Sequence, residues 1–377
     1  MRYFITRGGV IGLVFLVLAA CNSAPTPTTR VAANIVAPST ATRRATLTLT
    51  PTSAATDTST ATATSTNTPT PTPTPNPLDV EWMRKQSYPG SDITIEQELP
   101  RGSDYRQYIA SYLSDGLKIH GLLTIPDGEK PATGWPAIIF NHGFIPPNIY
   151  RTTERYVAYV AAIARSGYVV FKPDYRGHGS SEGEATGGYA SPAYTVDVLN
   201  ALASVKKLPD VDPNRLGMWG HSMGGMVTLR SMVISQDIKA GVIWGGVVAS
   251  YPDLLTKWPH PRSEVIATPV AGRRWRTEFI ATYGTPEENP DFWNSISPIT
   301  YVSDISGPVQ LDHSTTDEEV PIAFSESLDQ ALIKAGKTVE FYQYPGDNHN
   351  IANNFSLAMQ RSIAFFDKYV KGVPPQG

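Results

Sequence analysis

The chain has 377 residues, with 31 lysines and arginines against 34 aspartates and glutamates, and a net charge of −3 at pH 7. This balance carries no basic excess of the kind that binds nucleic acid, so we expect no nucleic-acid partner. The single cysteine, Cys21, excludes a disulfide bond within the chain.

The N-terminus has the features of an export signal. Arg2 and Arg7 precede an apolar run from Val10 to Ala20, which is shorter than a membrane span (about 20 residues) and has the length of a secretory signal core. The run ends in Leu18-Ala19-Ala20-Cys21, which resembles the bacterial lipobox. The resemblance implies that residues 1–20 are a signal peptide and that Cys21 is lipidated. We therefore expect an exported protein, anchored by its lipid to the outer face of a bacterial cell membrane.

Residues 22–77 are rich in threonine, serine, alanine and proline and close in a Thr-Pro repeat from Thr68 to Pro75. The segment has no aromatic residue and almost no charge, so it cannot bury enough apolar surface to offset the entropy of ordering. We expect a disordered linker with a polyproline II bias near the repeat. The remaining residues, 78–377, are enough for one large α/β domain.

The elements of this domain follow from its hydrophobic pattern. Tyr105 to Leu113 and Leu117 to Ile125 alternate around Ser114-Asp115-Gly116, which predicts a hairpin. Ala137 to Phe140 is a continuous apolar run, typical of a strand buried on both faces of a parallel sheet. Further strands are predicted over Tyr168–Phe171, Arg215–Trp219, Ala240–Trp244, Val309–Asp312 and Thr338–Tyr344, and helices over Tyr156–Arg165, Thr195–Leu208, Met226–Ile234, Pro321–Ala335 and Asn354–Val370.

This alternation predicts a mostly parallel central sheet with helices on both faces and the hairpin as an antiparallel edge. Residues 251–306 break the pattern. They contain Trp258, Trp275, Trp293 and several prolines, without a regular alternation of strand and helix. We interpret them as a cap or insertion that covers the carboxyl edge of the sheet.

A Gly-x-Ser-x-Gly motif, Gly220-His221-Ser222-Met223-Gly224, lies between a predicted strand and a predicted helix. In this context the serine occupies a strained turn and its hydroxyl is exposed. A side chain at Gly220 or Gly224 would collide with the neighbouring strand or helix. Ser222 is therefore the predicted nucleophile.

A serine hydroxyl needs a base that takes its proton. Of the seven histidines, His349 lies in the loop after the last predicted strand, from which its ring can reach Ser222. The imidazole needs an acid that orients it, and the candidates are Asp312, Asp317, Glu318, Glu319 and Asp347. Asp317 is favoured because it lies between the penultimate strand and the next helix, whereas Glu318 and Glu319 are expected at a solvated helix start. The order Ser222, Asp317, His349 is that of the α/β-hydrolase fold.

The oxyanion of the reaction needs two N–H donors. One is predicted to be the backbone N–H of Met223, and the other belongs to the loop after the Ala137 strand, with Phe144 N–H first and Gly143 N–H next. No set of histidines and carboxylates has the spacing of a metal site such as H-E-x-x-H, and the sequence has neither Gly-x-Gly-x-x-Gly nor a P-loop. We expect no metal and no cofactor.

The segment from about Tyr105 to Val370 resembles an α/β-hydrolase of the prolyl-oligopeptidase-like kind. The matching pieces are Ile119-His120-Gly121, Asn141-His142-Gly143, Asp174-Tyr175-Arg176-Gly177, Gly220 to Gly225, Asn289 to Trp293 through Ser297-Pro298, Asp317 to Pro321, and Asn348-His349. The resemblance implies the same acid, Asp317, although the family usually has His-Gly where this chain has His313-Ser314. The family's peptidases carry a long N-terminal β-propeller that filters peptides. Leu78 to Tyr105 cannot build one, which favours an esterase.

Three functions remain open from the sequence. The first is a lipid-anchored serine hydrolase that cleaves carboxylic esters of small molecules through an acyl-enzyme. The second is a peptidase or amidase that acts on short peptides. The third is a non-catalytic surface module that binds glycans or peptides through Trp258, Trp275 and Trp293, against which the complete set of predicted catalytic residues argues.

Overall fold

The computed structural model describes residues 76–258 and 271–372, with side chains described from residue 275 in the second range. The predicted signal peptide, the lipidation site Cys21 and residues 22–75 of the predicted linker lie outside the described residues. None of the helices in the described ranges combines the length and the apolar character that a membrane span requires.

One nine-stranded sheet organises the domain, in the order β1-β2-β3-β5-β4-β6-β7-β8-β9. Its strands are β1 (Thr94–Gly102), β2 (Tyr105–Ser114), β3 (Leu117–Pro126), β4 (Trp135–Asn141), β5 (Val169–Pro173), β6 (Val211–His221), β7 (Ile238–Trp244), β8 (Val309–Ser314) and β9 (Val339–Tyr344). The strands from β5 to β9 in this order pair in parallel, and β1, β2 and β3 form an antiparallel edge. The prediction of a mostly parallel sheet is confirmed.

The antiparallel edge contains the predicted hairpin and one strand that the pattern did not predict. Asp115 and Gly116 join β2 to β3 with positive φ angles of 51° and 79°, as an Asp-Gly hairpin turn requires. The strand β1 lies outside β2 and most of its residues are exposed, so its sequence has no buried apolar alternation. It also contains Pro100, which an edge strand tolerates because one side of its backbone pairs with no other strand.

Helices cover both faces of the sheet, as predicted. They are α1 (Val80–Arg84), α2 (Val157–Arg165), α3 (Ala193–Val205), α4 (Met223–Ile234), α5 (Tyr251–Thr256), α6 (Ala271–Tyr283), α7 (Pro290–Ser295), α8 (Ala323–Lys334) and α9 (Phe355–Phe366), with a 3₁₀ segment at Pro298–Asp304 and a π-helical turn at Asp367–Lys371. Residues of α2 and α9 share one core cluster with Ile138 and Val170. Residues of α3, α4 and α8 share the other with Ile139 and Phe171. Neighbouring residues of β4 and β5 thus face opposite layers, which is why these strands are apolar throughout.

The described part of the insertion at residues 251–306 contains the helices α5, α6 and α7 and the 3₁₀ segment, and residues 259–270 of the insertion lie outside the described ranges. Trp293 is fully buried and Trp275 is 5% exposed, so both pack inside the protein instead of forming a binding surface. The indole N–H of Trp258 donates a hydrogen bond to the Glu319 carbonyl, at 2.8 Å. The insertion therefore contacts the loop after β8, at the carboxyl edge of the sheet.

A buried polar network links β8 to β9. The Tyr344 hydroxyl donates to Asp312 Oδ1 at 2.6 Å, and Gln310 Nε2 donates to Asp312 Oδ2 at 2.6 Å. Burial raises the pKa of Asp312 to about 7, although these two hydrogen bonds oppose the change. The carboxyl group is therefore held partly protonated near neutral pH.

We expect Asp312→Asn to make the stability of the protein less dependent on pH. Because the folded state raises the pKa of Asp312, the group's contribution is complete below the ordinary carboxyl value of about 4 and is lost as the pH rises through about 7. Between about pH 4 and pH 8 the wild type should lose a few kcal/mol of unfolding free energy relative to the variant. Urea unfolding at a series of pH values measures this difference, and parallel pH profiles for the two proteins would contradict it.

Candidate active site

Ser222 forms the turn between β6 and α4. Its backbone has a φ of 55° and a ψ of −119°, a strained conformation for a residue with a side chain. Its N–H donates to the Trp244 carbonyl at 3.0 Å, and its carbonyl accepts from Val247 N–H at 3.1 Å. These bonds attach the turn to the end of β7 and leave the serine partly exposed.

The two glycines of the motif are required by the packing of this turn. A Cβ at Gly220 would overlap Thr228 Oγ1 and the Gly224 carbonyl. A Cβ at Gly224 would overlap the Asn141 carbonyl and would lie 2.8 Å from the His142 carbonyl oxygen. Glycine at position 220 therefore allows β6 to lie close to α4, and glycine at position 224 allows the turn to lie close to the end of β4.

The structure brings His349 and Asp317 into direct contact. His349 Nδ1 lies 2.7 Å from Asp317 Oδ2 and donates a hydrogen bond to it. Both side chains are buried, with exposures of 6% and 0%. The two residues follow the neighbouring parallel strands β9 and β8, whose carboxyl ends lie at the same edge of the sheet.

The other candidate acids have different surroundings. The Asp347 carboxylate accepts backbone N–H groups of its own loop, including that of Asn348, so it shapes the segment that carries His349. Asp312 belongs to the network inside the sheet, and Glu318 is exposed. Asp317 is thus the candidate that the fold places against His349 Nδ1.

Asp317 is held as an anion by donors on both of its oxygens. Oδ1 accepts from the N–H groups of Glu319, at 2.8 Å, and Val320, at 2.9 Å. His313 Nε2 lies 3.1 Å from Oδ2 and 3.0 Å from the Val320 carbonyl, so it must carry the proton. Burial alone would raise the pKa of Asp317, but the hydrogen bonds from His313, His349 and Val320 hold it well below its ordinary value. The sequence did not identify this contact of His313.

His221 positions the backbone of His349. The His349 carbonyl lies 3.1 Å from His221 Nε2, and the Tyr156 hydroxyl lies 2.8 Å from His221 Nδ1. A carbonyl can only accept, so Nε2 donates to it and Nδ1 accepts from the tyrosine. Burial, reinforced by the nearby His349, lowers the pKa of His221 to about 3, so its ring stays neutral. The sequence analysis predicted Tyr156 only as a helix residue.

Tyr156 also fixes the loop that follows β4. It precedes α2 with a φ of 55°, one residue before the observed helix start, and its hydroxyl accepts the Gly143 N–H at 3.0 Å. A Cβ on Gly143 would come within 3.2 Å of Ser222 Cβ, so this loop lies against the nucleophile. The Gly143 amide, the second choice for the oxyanion hole, is therefore already engaged.

The backbone N–H groups of Met223 and Phe144, predicted first for the oxyanion hole, can still donate to an oxyanion. Met223 is the first residue of α4, and the first N–H groups of a helix have no acceptor within the helix. Among the described residues, none accepts a hydrogen bond from Phe144 N–H. Met223 and Phe144 stay the predicted donors.

His349 lies beside the nucleophile turn with a free nitrogen. The rings of His221 and His349 have their centroids 4.5 Å apart. His349 Nε2 is buried and has no hydrogen-bond partner in the described part of the chain. Because Nδ1 donates to Asp317, Nε2 carries the lone pair that proton abstraction needs. In hydrolases without bound substrate the hydrogen bond from serine to histidine is often long and forms fully in the complex.

We expect Tyr156→Phe to lower kcat/KM for p-nitrophenyl acetate about tenfold, because it removes the hydroxyl that holds both Gly143 and His221. Tyr159→Phe is the matched control, since it lies in the first turn of α2, the helix that Tyr156 precedes, and its hydroxyl donates to the Asn350 carbonyl. Steady-state kinetics of the two variants measure the difference. An unchanged kcat/KM in Tyr156→Phe would contradict the positioning role.

Comparison with known proteins identifies the family. The sequence profile described as the prolyl oligopeptidase family matches residues 155–373, more than half of the chain and the part that contains Ser222, Asp317 and His349. The profile of the X-Pro dipeptidyl-peptidase (S15) family matches residues 28–257, which contain Ser222 but neither of its partners.

The curated relatives similar to this chain include several peptidases. The uncharacterized peptidase YtmA of Bacillus subtilis (strain 168) is 28% identical over 259 residues, which cover 68% of this chain and 91% of YtmA. Other curated relatives are longer, and the chain covers between 20% and 34% of their lengths.

Solved structures of both peptidases and esterases share the fold. An acylaminoacyl peptidase of Pyrococcus horikoshii has a TM-score of 0.57 at 22% identity and covers 73% of this chain and 44% of its own. An acetyl xylan esterase of Paenibacillus sp. R4 has a TM-score of 0.57 at 18% identity and covers 77% of this chain and 92% of its own. At these identities they establish the α/β-hydrolase fold. The prolyl oligopeptidase profile, which matches more than half of the chain, shows that the chain belongs to the prolyl oligopeptidase family of serine hydrolases.

Proposed function

We propose that this serine hydrolase cleaves carboxylic esters of small molecules through an acyl-enzyme at Ser222. The buried contact between His349 Nδ1 and Asp317, beside the strained turn at Ser222, is the main support for this proposal. The acetyl xylan esterase supports an ester substrate, because the alignment extends over 92% of that protein. The described segment 76–104 contains one short helix and the edge strand β1, which pairs into the sheet. This segment therefore does not form the β-propeller that filters peptides in the family's peptidases.

The residues have the following roles in the proposed reaction. His349 Nε2 takes the proton of the Ser222 hydroxyl as its oxygen attacks the ester carbonyl carbon, while Asp317 stabilises the imidazolium that forms. The N–H groups of Met223 and Phe144 stabilise the oxyanion. Nε2 then returns the proton to the leaving alcohol, and the acyl group remains on Ser222. Water, activated by Nε2, releases the carboxylic acid and restores the serine.

A second candidate is a peptidase or amidase that acts on short peptides. The family and the relative YtmA favour it. The same residues would form the same acyl-enzyme, with an amine instead of an alcohol as the leaving group. The nature of the leaving group therefore separates the two functions.

We expect a higher kcat/KM for p-nitrophenyl acetate than for p-nitroanilides of short peptides. Ser222→Ala should lower the ester activity by at least ~10³-fold because it removes the nucleophile. Ser235→Ala, at the other end of α4, is the control and should keep wild-type activity. Anilide turnover above ester turnover would favour the peptidase. Equal ester turnover by Ser222→Ala and the wild type would contradict both candidates.

We also propose that the enzyme acts outside the cytoplasm, held at a membrane by a lipid on Cys21. The support is the lipobox-like sequence Leu18-Ala19-Ala20-Cys21. In a bacterial host that processes lipoproteins, the wild type should partition into the detergent phase of Triton X-114. Cys21→Ala should remain in the aqueous phase or unprocessed, and partition equal to the wild type would contradict the anchor.

A further inference from the structure

The carboxylate of Glu319 lies next to the nitrogen of His349 that exchanges protons in the proposed reaction. Glu319 Oε2 is 3.8 Å from His349 Nε2, the nitrogen without a hydrogen-bond partner in the described part of the chain. The Glu319 side chain is 65% exposed, whereas that of His349 is 6% exposed. The carboxylate therefore occupies the solvent side of the site, where a substrate arrives.

The backbone of Glu319 is held on both sides. Its N–H donates to Asp317 Oδ1 at 2.8 Å, and its carbonyl accepts from the Trp258 indole at 2.8 Å. Trp258 in turn packs edge-on against Tyr189, with ring centroids 5.5 Å apart. These contacts fix the main chain of Glu319 in the loop after β8, which also carries Asp317, and the geometry of this loop places the carboxylate near Nε2.

Within residues 76–258 and 275–372, the carboxylate has no lysine or arginine partner. The ion pair that Glu319 forms in these ranges is with His349, which is charged only when protonated, and none joins it to a lysine or an arginine. The guanidinium of Arg276 lies over the rings of Trp258, at 5.6 Å, and Trp275, at 5.7 Å. Within the described ranges, no lysine or arginine thus neutralises the charge of Glu319, and a cationic group of a substrate can pair with it.

The proposed reaction of Ser222, His349 and Asp317 indicates which part of a substrate lies near this charge. In the proposed reaction, Nε2 gives its proton to the oxygen that leaves, so that oxygen must come within about 3 Å of Nε2. An oxygen of Glu319 that lies 3.8 Å from the same nitrogen is therefore next to the leaving group. A positive charge two or three bonds beyond the ester oxygen would lie close enough to the carboxylate for direct attraction.

We propose that Glu319 selects esters with a cationic leaving group, that is, esters of amino alcohols or quaternary ammonium alcohols. The inference rests on the proposed esterase function and names its substrate class. The reaction forms the bond between Ser222 Oγ and the acyl carbon and breaks the bond from that carbon to the alcohol oxygen. The proton of Ser222 leaves with the cationic alcohol, and water then releases the acid.

Butyrylcholine and 3,3-dimethylbutyl butyrate test the proposal, because they have nearly the same shape and differ by one positive charge. The wild type should show a kcat/KM about fivefold higher for butyrylcholine at low salt, and the ratio should fall as salt screens the exposed carboxylate. Glu319→Gln should bring the ratio close to one. Glu318→Gln, which removes the neighbouring exposed carboxylate, is the matched control and should keep the wild-type ratio.

The outcomes separate this inference from the function on which it rests. Hydrolysis of the neutral ester without a preference for the charged one, or an equal ratio in Glu319→Gln and the wild type, would overturn the role of Glu319 and leave the esterase in place. If the wild type hydrolysed neither these esters nor p-nitrophenyl acetate, the esterase proposal itself would fail, and the substrate class with it.

Discussion

The hydrogen bond from His349 Nδ1 to Asp317 Oδ2 is the interaction on which the rest of the site depends. It places the proton on Nδ1 and thereby leaves the lone pair of Nε2 for the serine. A buried carboxylate is costly unless it is well paired. His313 and two backbone N–H groups lower that cost for Asp317. The His221 ring restrains the other side of the contact through the His349 carbonyl.

The parallel sheet explains how residues far apart in the chain meet at this bond. Ser222 follows β6, Asp317 follows β8 and His349 follows β9, and all three strands end at the same edge. Strand β7 lies between the first two and carries the Trp244 carbonyl that holds the serine turn. A change in strand order would separate the three residues even if every local turn formed.

The parts of the fold that the sequence predicts are those with a strong local signal. Continuous apolar runs identify the buried strands, and the position of Asp317 after a strand and before a helix selects the carboxylate that contacts His349. The strand β1 is missed because its exposed residues carry no such signal. The bond between Tyr156 and His221 joins residues 65 positions apart, and only the tertiary structure brings them together. Glu319, predicted at a solvated helix start, is indeed exposed, but its proximity to His349 likewise depends on the packing of two loops.

A covalent probe can locate the residue that reacts as the nucleophile. The protein would be treated with a fluorophosphonate and digested, and the modified peptide would be identified by mass spectrometry. We predict one phosphonyl group per protein, on Ser222, with no labelling of Ser222→Ala and much slower labelling of Asp317→Asn. Modification of another residue, or labelling of Ser222→Ala at the wild-type rate, would contradict the assignment of Ser222 as the nucleophile.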